Sequence, residues 1–71
     1  MLRVLRKKPA LKEKSRGVFY RRGRAFLHFH EHGEELHADM RLADDFERFA
    51  ATSQTQQALL LKKIDAALRT P

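Results

Sequence analysis

The chain has no cysteine and no tryptophan, only two prolines and three glycines, and a single tyrosine. Without cysteine there is no disulfide framework, no thiolate zinc site and no cysteine nucleophile. No segment approaches the roughly 20 consecutive apolar residues that span a bilayer. The opening Met-Leu-Arg-Val-Leu-Arg-Lys-Lys carries no apolar run of signal-peptide length. No serine or threonine stands at catalytic spacing from a histidine, and 71 residues make one domain with a core too small for a deep substrate cavity. These absences lead to the expectation of a cytoplasmic, non-enzymatic protein with no membrane contact and no catalytic residue. A chain this short without covalent staples depends on good packing or on oligomerisation.

Charge is present, and it is unevenly placed. Residues 1–16 hold seven basic side chains (Arg3, Arg6, Lys7, Lys8, Lys12, Lys14 and Arg16) against Glu13 alone, a net of +6, while the remaining eight basic and eight acidic residues cancel. The sequence therefore divides into a basic, flexible arm over 1–16 and a neutral α+β domain over 17–71. Such an arm is suited to nucleic-acid backbones or an acidic protein partner, through salt-sensitive and non-specific attraction, or serves only as a solubilising tail. Pro9 interrupts it and favours irregular chain, while Leu2, Val4 and Leu5 are suited to dock on the domain as an edge strand.

Within the domain, Arg24 to His32 alternates through Ala25, Leu27 and Phe29, and Glu35 to Leu42 alternates through Leu36, Ala38, Met40 and Leu42. Period-two alternation marks strands with one buried face. A turn tipped by His32-Gly33 would set Phe29 opposite Leu36, Leu27 opposite Ala38 and Ala25 opposite Met40. A turn at Arg22-Gly23 would set Val18 opposite Leu27 and Tyr20 opposite Ala25 on the core face, with Phe19 opposite Phe26 on the other. Residues 46–51 read either as a strand or as a helical turn. A strand entered by a three-residue turn would pair Arg41 with Glu47.

Thr52-Ser53 followed by Gln56 has the form of a capping box, and Leu60, Leu61, Ile64, Ala67 and Leu68 lie on one face of the helix that follows, before Pro71. The expected fold is a three- or four-stranded antiparallel meander packed on this C-terminal helix. Its core is predicted from Leu27, Phe29, Leu36, Ala38, Met40, Leu60, Leu61, Ile64 and Leu68.

On the opposite face, the same register stacks His28 against His37 and His30 against Glu35. Three imidazoles and a carboxylate are suited to zinc, with His28, His30, His37 and Glu35 as the ligand set, or they form an ordinary polar surface. The spacing Gly23-x4-His28-x-His30-x3-Glu34 resembles an imperfect cupin metal motif, but a cupin barrel needs more strands than this chain can supply. Phe19 and Phe26, joined by Phe49 if 46–51 is a strand, would lie outward beside Arg21, Arg24 and Arg41. They would serve as a homodimer surface or as stacking groups for bases.

The run Phe19-Tyr20, Ala25-Phe26-Leu27-His28-Phe29-His30-Glu31 and Ala38-Asp39-Met40-Arg41 resembles a set of small uncharacterised bacterial proteins. They have a Phe-Leu-His-Phe-His-Glu strand, an Ala-Asp strand and a helix rich in leucine and alanine. The resemblance covers about residues 17 to 69. It implies a bacterial domain of unknown function and brings no site residue with it.

Overall fold

The structure, a computed structural model, describes residues 1–69. The final Pro71, expected to close the chain, lies outside the described residues. In chain order the elements are α1 (Leu2–Arg6), β1 (Lys12–Ser15), β2 (Val18–Arg21), β3 (Arg24–His32), β4 (Glu35–Leu42), β5 (Asp45–Ala50) and α2 (Gln54–Leu68). The five strands form one antiparallel meander in the order β1-β2-β3-β4-β5. The α+β class and the C-terminal helix follow the expectation, while the sheet has five strands instead of three or four. The additional strand is β1, drawn from the segment expected to be an arm.

Turn chemistry sets the register. Arg22 and Gly23 both take positive φ (54° and 77°), the type I′ pattern that matches strand twist. In the next hairpin His32 pairs with Glu35, so the turn is Gly33-Glu34, not His32-Gly33. Glycine at the first central position, with φ 63°, meets the type II′ requirement that histidine would meet only under strain. The pairing therefore moves by two residues from the expected one, with Leu27 opposite Met40, Phe29 opposite Ala38 and Glu31 opposite Leu36. A shift of two keeps every side chain on its face, and so the apolar face survives.

Between β2 and β3 the register slips by one, from Tyr20 opposite Ala25 to Phe19 opposite Leu27, leaving Phe26 as the extra residue of a bulge. Phe26 and Leu27 are consequently both buried, at 4% and 0% exposure, and Phe19 at 1% joins them in the core. The expected outward Phe19/Phe26 surface for a homodimer is thus overturned, because the bulge turns both rings inward. Ala25, expected in the core, becomes the outward neighbour of Tyr20.

Residues 46–51 resolve as a strand followed by the buried Ala51. The turn into β5 has two residues, Ala43-Asp44, instead of three, and Arg41 opposes Phe46 while Met40 opposes Glu47. One residue fewer flips every β5 side chain. Phe49 accordingly packs against the core and Phe46 faces outward.

The capping box forms as expected: Gln56 N donates to Ser53 Oγ at 3.1 Å, and Ser53 N to Gln56 Oε1 at 3.1 Å. Helix α2 lays Leu60 and Ile64 on the sheet. Of the predicted core, Leu27, Ala38, Met40, Leu60 and Ile64 are buried, and Phe29, Leu36, Leu61 and Leu68 pack at its margin.

Residues 1–16 are folded onto this core and do not form a separate arm. Leu5 is fully buried and Leu11 is 7% exposed. A five-residue helix has no stability of its own, so α1 depends on these contacts. Two ion pairs add to them, Arg6 Nε to Glu13 Oε1 and Lys8 Nζ to Asp65 Oδ1, each at 2.6 Å.

Two substitutions test this architecture by thermal melting. Leu5→Ala should cost about 2 to 5 kcal/mol, the range for truncating a buried leucine; a neutral result would mean that α1 does not dock. Ala43 holds φ 56° without being glycine. The left-handed conformation costs an L-residue about 1–2 kcal/mol, partly offset by the entropy glycine loses, so Ala43→Gly should raise the Tm by a few degrees.

Candidate functional site

The two helices cover one face of the sheet and leave the other open. Strand pairing lays the open face out in rows. The first row runs Lys12, Tyr20, Ala25, Arg41, Phe46, one residue from each strand: Lys12 pairs with Tyr20 and Tyr20 with Ala25, Arg41 Nε donates to the Ala25 carbonyl at 2.7 Å, and Arg41 pairs with Phe46. The second row runs Ser15, Val18, His28, Asp39, Arg48, by direct pairing throughout. A third holds His30, His37 and Ala50.

The first row alternates cations with rings. The Arg41 guanidinium lies 4.6 Å from the Phe46 ring centroid, and Lys14 Nζ lies 4.9 Å from that of Tyr20. Phe46 remains 46% exposed. Sequence reasoning selected Phe19, Phe26 and Phe49 for the outward aromatic positions, and the structure places Tyr20 and Phe46 there. The signals that would have found them are the two turn lengths and the bulge, since each changes strand parity.

The histidines are arranged differently from the expected cluster. His30 opposes His37, and His28 opposes Asp39. His30 Nε2 lies 2.8 Å from Asp39 Oδ2, the His28 and His30 ring centroids are 4.0 Å apart with their planes tilted by 51°, and His37 Nε2 lies 3.9 Å from Glu35 Oε2. The two-residue shift in the β3–β4 register separates the expected pairs. Among the described residues, no group of three or more His, Cys, Asp or Glu side chains is placed to hold a metal ion.

Asp39 is the electrostatic centre of this face. Arg48 grips it with Nε to Oδ1 at 2.9 Å and Nη2 to Oδ2 at 3.4 Å, opposite His30. The Arg48 guanidinium, then His30, holds the Asp39 carboxyl below the usual carboxylate range. The arrangement neutralises a carboxylate. Among the described residues, no serine or threonine hydroxyl is hydrogen-bonded to the His30–Asp39 pair.

Of the seven basic residues in 1–16, Arg6 and Lys8 are engaged in ion pairs. Arg6, then the Gly17 amide, holds Glu13 below its ordinary range. Arg3, Lys7, Lys12, Lys14 and Arg16 are exposed, and among the described residues none of them forms an ion pair. The hairpin tip adds exposed Arg22 and Arg24 beyond Lys12 and Tyr20. On the helix side, a cleft of about 400 Å³ is lined by residues that include Leu2, Arg16, Phe29, Glu31, Leu36 and Gln57. Among the described residues, no helix is long and apolar enough to cross a membrane.

The Asp39 contacts have a measurable consequence. A carboxyl whose folded pKa is depressed contributes stability that is present above the unfolded value, near about pH 4, and lost as pH falls through the folded value. Asp39→Asn should therefore lower stability at neutral pH by about 1 kcal/mol or less, since Arg48 is largely exposed. It should also flatten the fall in Tm on acidification. An acid limb equal to that of the parent protein would show that Asp39 carries none of it.

No family model, no curated protein and no solved structure matches this chain.

Proposed function

We propose that this protein is a small non-enzymatic binding module whose basic N-terminal segment takes the phosphate backbone of a nucleic acid. The observation that carries this reading is the charge balance of the folded chain. Residues 1–16 have a net charge of +6. Five of their seven cations are exposed and outside any ion pair among the described residues. Exposed cations placed together raise the local potential and attract polyanions, with affinity that falls as salt displaces the released counterions.

Folding of this segment strengthens the reading. Leu5 and Leu11 pin α1 and β1 to the core, so Lys12 and Lys14 stand on a β-strand next to Tyr20 and not on loose chain. Cations held in place lose less freedom on binding than those of a disordered tail. The His28, His30 and His37 face offers less support for a metal, because its imidazoles are engaged with Asp39, with one another and with Glu35.

The test is retention on heparin together with titration of a single-stranded oligonucleotide at several salt concentrations. Binding should weaken linearly in log-log form, and the double variant Lys12→Glu, Lys14→Glu should reduce the slope by about 0.7 for each contact removed. Retention and slope unchanged by that variant would remove these lysines from the interface, and absence of binding at low salt would overturn the function.

A further inference from the structure

We infer that the open face of the sheet is a stacking platform for the bases of single-stranded nucleic acid, with Tyr20 and Phe46 as the stacking rings and Lys12, Lys14 and Arg41 as the flanking cations. The inference rests on the reading above and goes further by naming the conformation of the ligand and the second surface that binds it.

Three observations support it. First, the row from Lys12 to Phe46 crosses all five strands and alternates charge with aromatic surface, which is the combination single-strand binders use: cations for the backbone and rings for the bases. Strands lie about 4.8 Å apart, so Tyr20 on β2 and Phe46 on β5 stand about 14 Å from each other, enough for a short run of nucleotides laid across the strands. Second, the position of Arg41 is fixed by its bond to the Ala25 carbonyl, and its guanidinium covers only part of the Phe46 ring, which stays 46% exposed. A base can stack on the remaining ring surface while its phosphate meets the guanidinium beside it. Third, the central carboxylate of this face, Asp39, is covered. Asp39 lies between Arg48 and His30, so a phosphate strand meets no bare carboxylate in the row that Asp39 occupies, and the exposed Glu35 stands further along the strand beside His37.

The same geometry disfavours a duplex. Paired bases are stacked on one another and offer no open face to a ring, so a duplex has access only to the cations. The platform is continuous with the exposed lysines of β1. A strand bound there would pass from backbone contacts at Lys12 and Lys14 to base contacts at Tyr20 and Phe46.

The composition of the chain supplies the assay. It contains one tyrosine and no tryptophan, so its tyrosine fluorescence reports on Tyr20 alone. Titration with a short oligothymidylate should quench that emission, while heparin, a polyanion without bases, should bind and leave it largely unchanged. Phe46→Ala should weaken oligothymidylate binding about fivefold or more, the lower end for loss of one stacked base, with heparin retention intact and with Phe46→Tyr restoring binding. Phe46 is nearly half exposed, and a thermal melt of each variant confirms that it is folded. Heparin binding without quenching, or equal affinity for oligothymidylate in the parent and in Phe46→Ala, would overturn the stacking platform and leave the basic surface standing. Absence of both heparin and oligothymidylate binding would overturn the basic surface itself. If sedimentation shows a dimer that Phe46→Ala dissolves without changing oligonucleotide affinity, the face belongs to a second copy of the chain and the proposal fails.

Discussion

Phe26 and Leu27 are neighbours in sequence and both are buried, which a regular strand cannot achieve because it sends successive side chains to opposite faces. The bulge at Phe26 resolves the conflict, and much of the molecule follows from it. Phe19 comes to face Leu27 and meets Phe29 edge to face, with ring centroids 6.4 Å apart. Tyr20 and Ala25 are turned the other way. Since the helices cover only one side of the sheet, this local change decides which aromatic rings fill the core and which remain in water.

A second constraint is the size of the core. The N-terminal segment contributes Leu5 and Leu11 to the same buried cluster as Phe19, Leu27 and the α2 residues Leu60 and Ile64. The exposed Arg6–Glu13 pair is worth little alone, and so burial of Leu5, more than charge pairing, holds α1 in place. Docking this segment has an electrostatic result. The basic segment becomes part of the folded surface, continuous through Lys12 with the open face of the sheet.

The alternation in Arg24 to His32 and Glu35 to Leu42 was enough to read two central strands and their apolar face, and Ser53 with Gln56 was enough to place the start of α2. What could not be read was parity across turns. The β3–β4 pairing moved by two residues, which spared the core but separated His28 from His37. The β4–β5 turn is shorter by one residue than the charge pairing of Arg41 with Glu47 suggested, and this exchanged Phe49 for Phe46 on the open face. Position 43 is an alanine with positive φ, so the usual glycine or asparagine signal for such a turn is missing. In the basic segment Leu2, Val4 and Leu5 were suited to an edge strand, but with Leu11 they are too few and too irregularly spaced to announce the short helix and β1 that form. Only the demand of a small sheet for cover makes Leu5 and Leu11 a part of the core.

Charge on the open face shows how the two constraints meet. Asp39 lies at its centre, and an isolated carboxylate there would repel any phosphate and would also lack partners in the half-buried middle of a sheet. The β4–β5 register brings Arg48 directly opposite Asp39, where it reaches both carboxylate oxygens, and alternation along β3 brings His30 to Oδ2 as well. The group that stabilises the centre of the sheet is thereby neutralised toward an anionic ligand. The remaining cations of that face, Lys12 and Arg41, stand beside rings and outside any ion pair among the described residues. The pairing that holds the sheet together thus leaves the outer surface with an excess of positive charge next to exposed aromatic area.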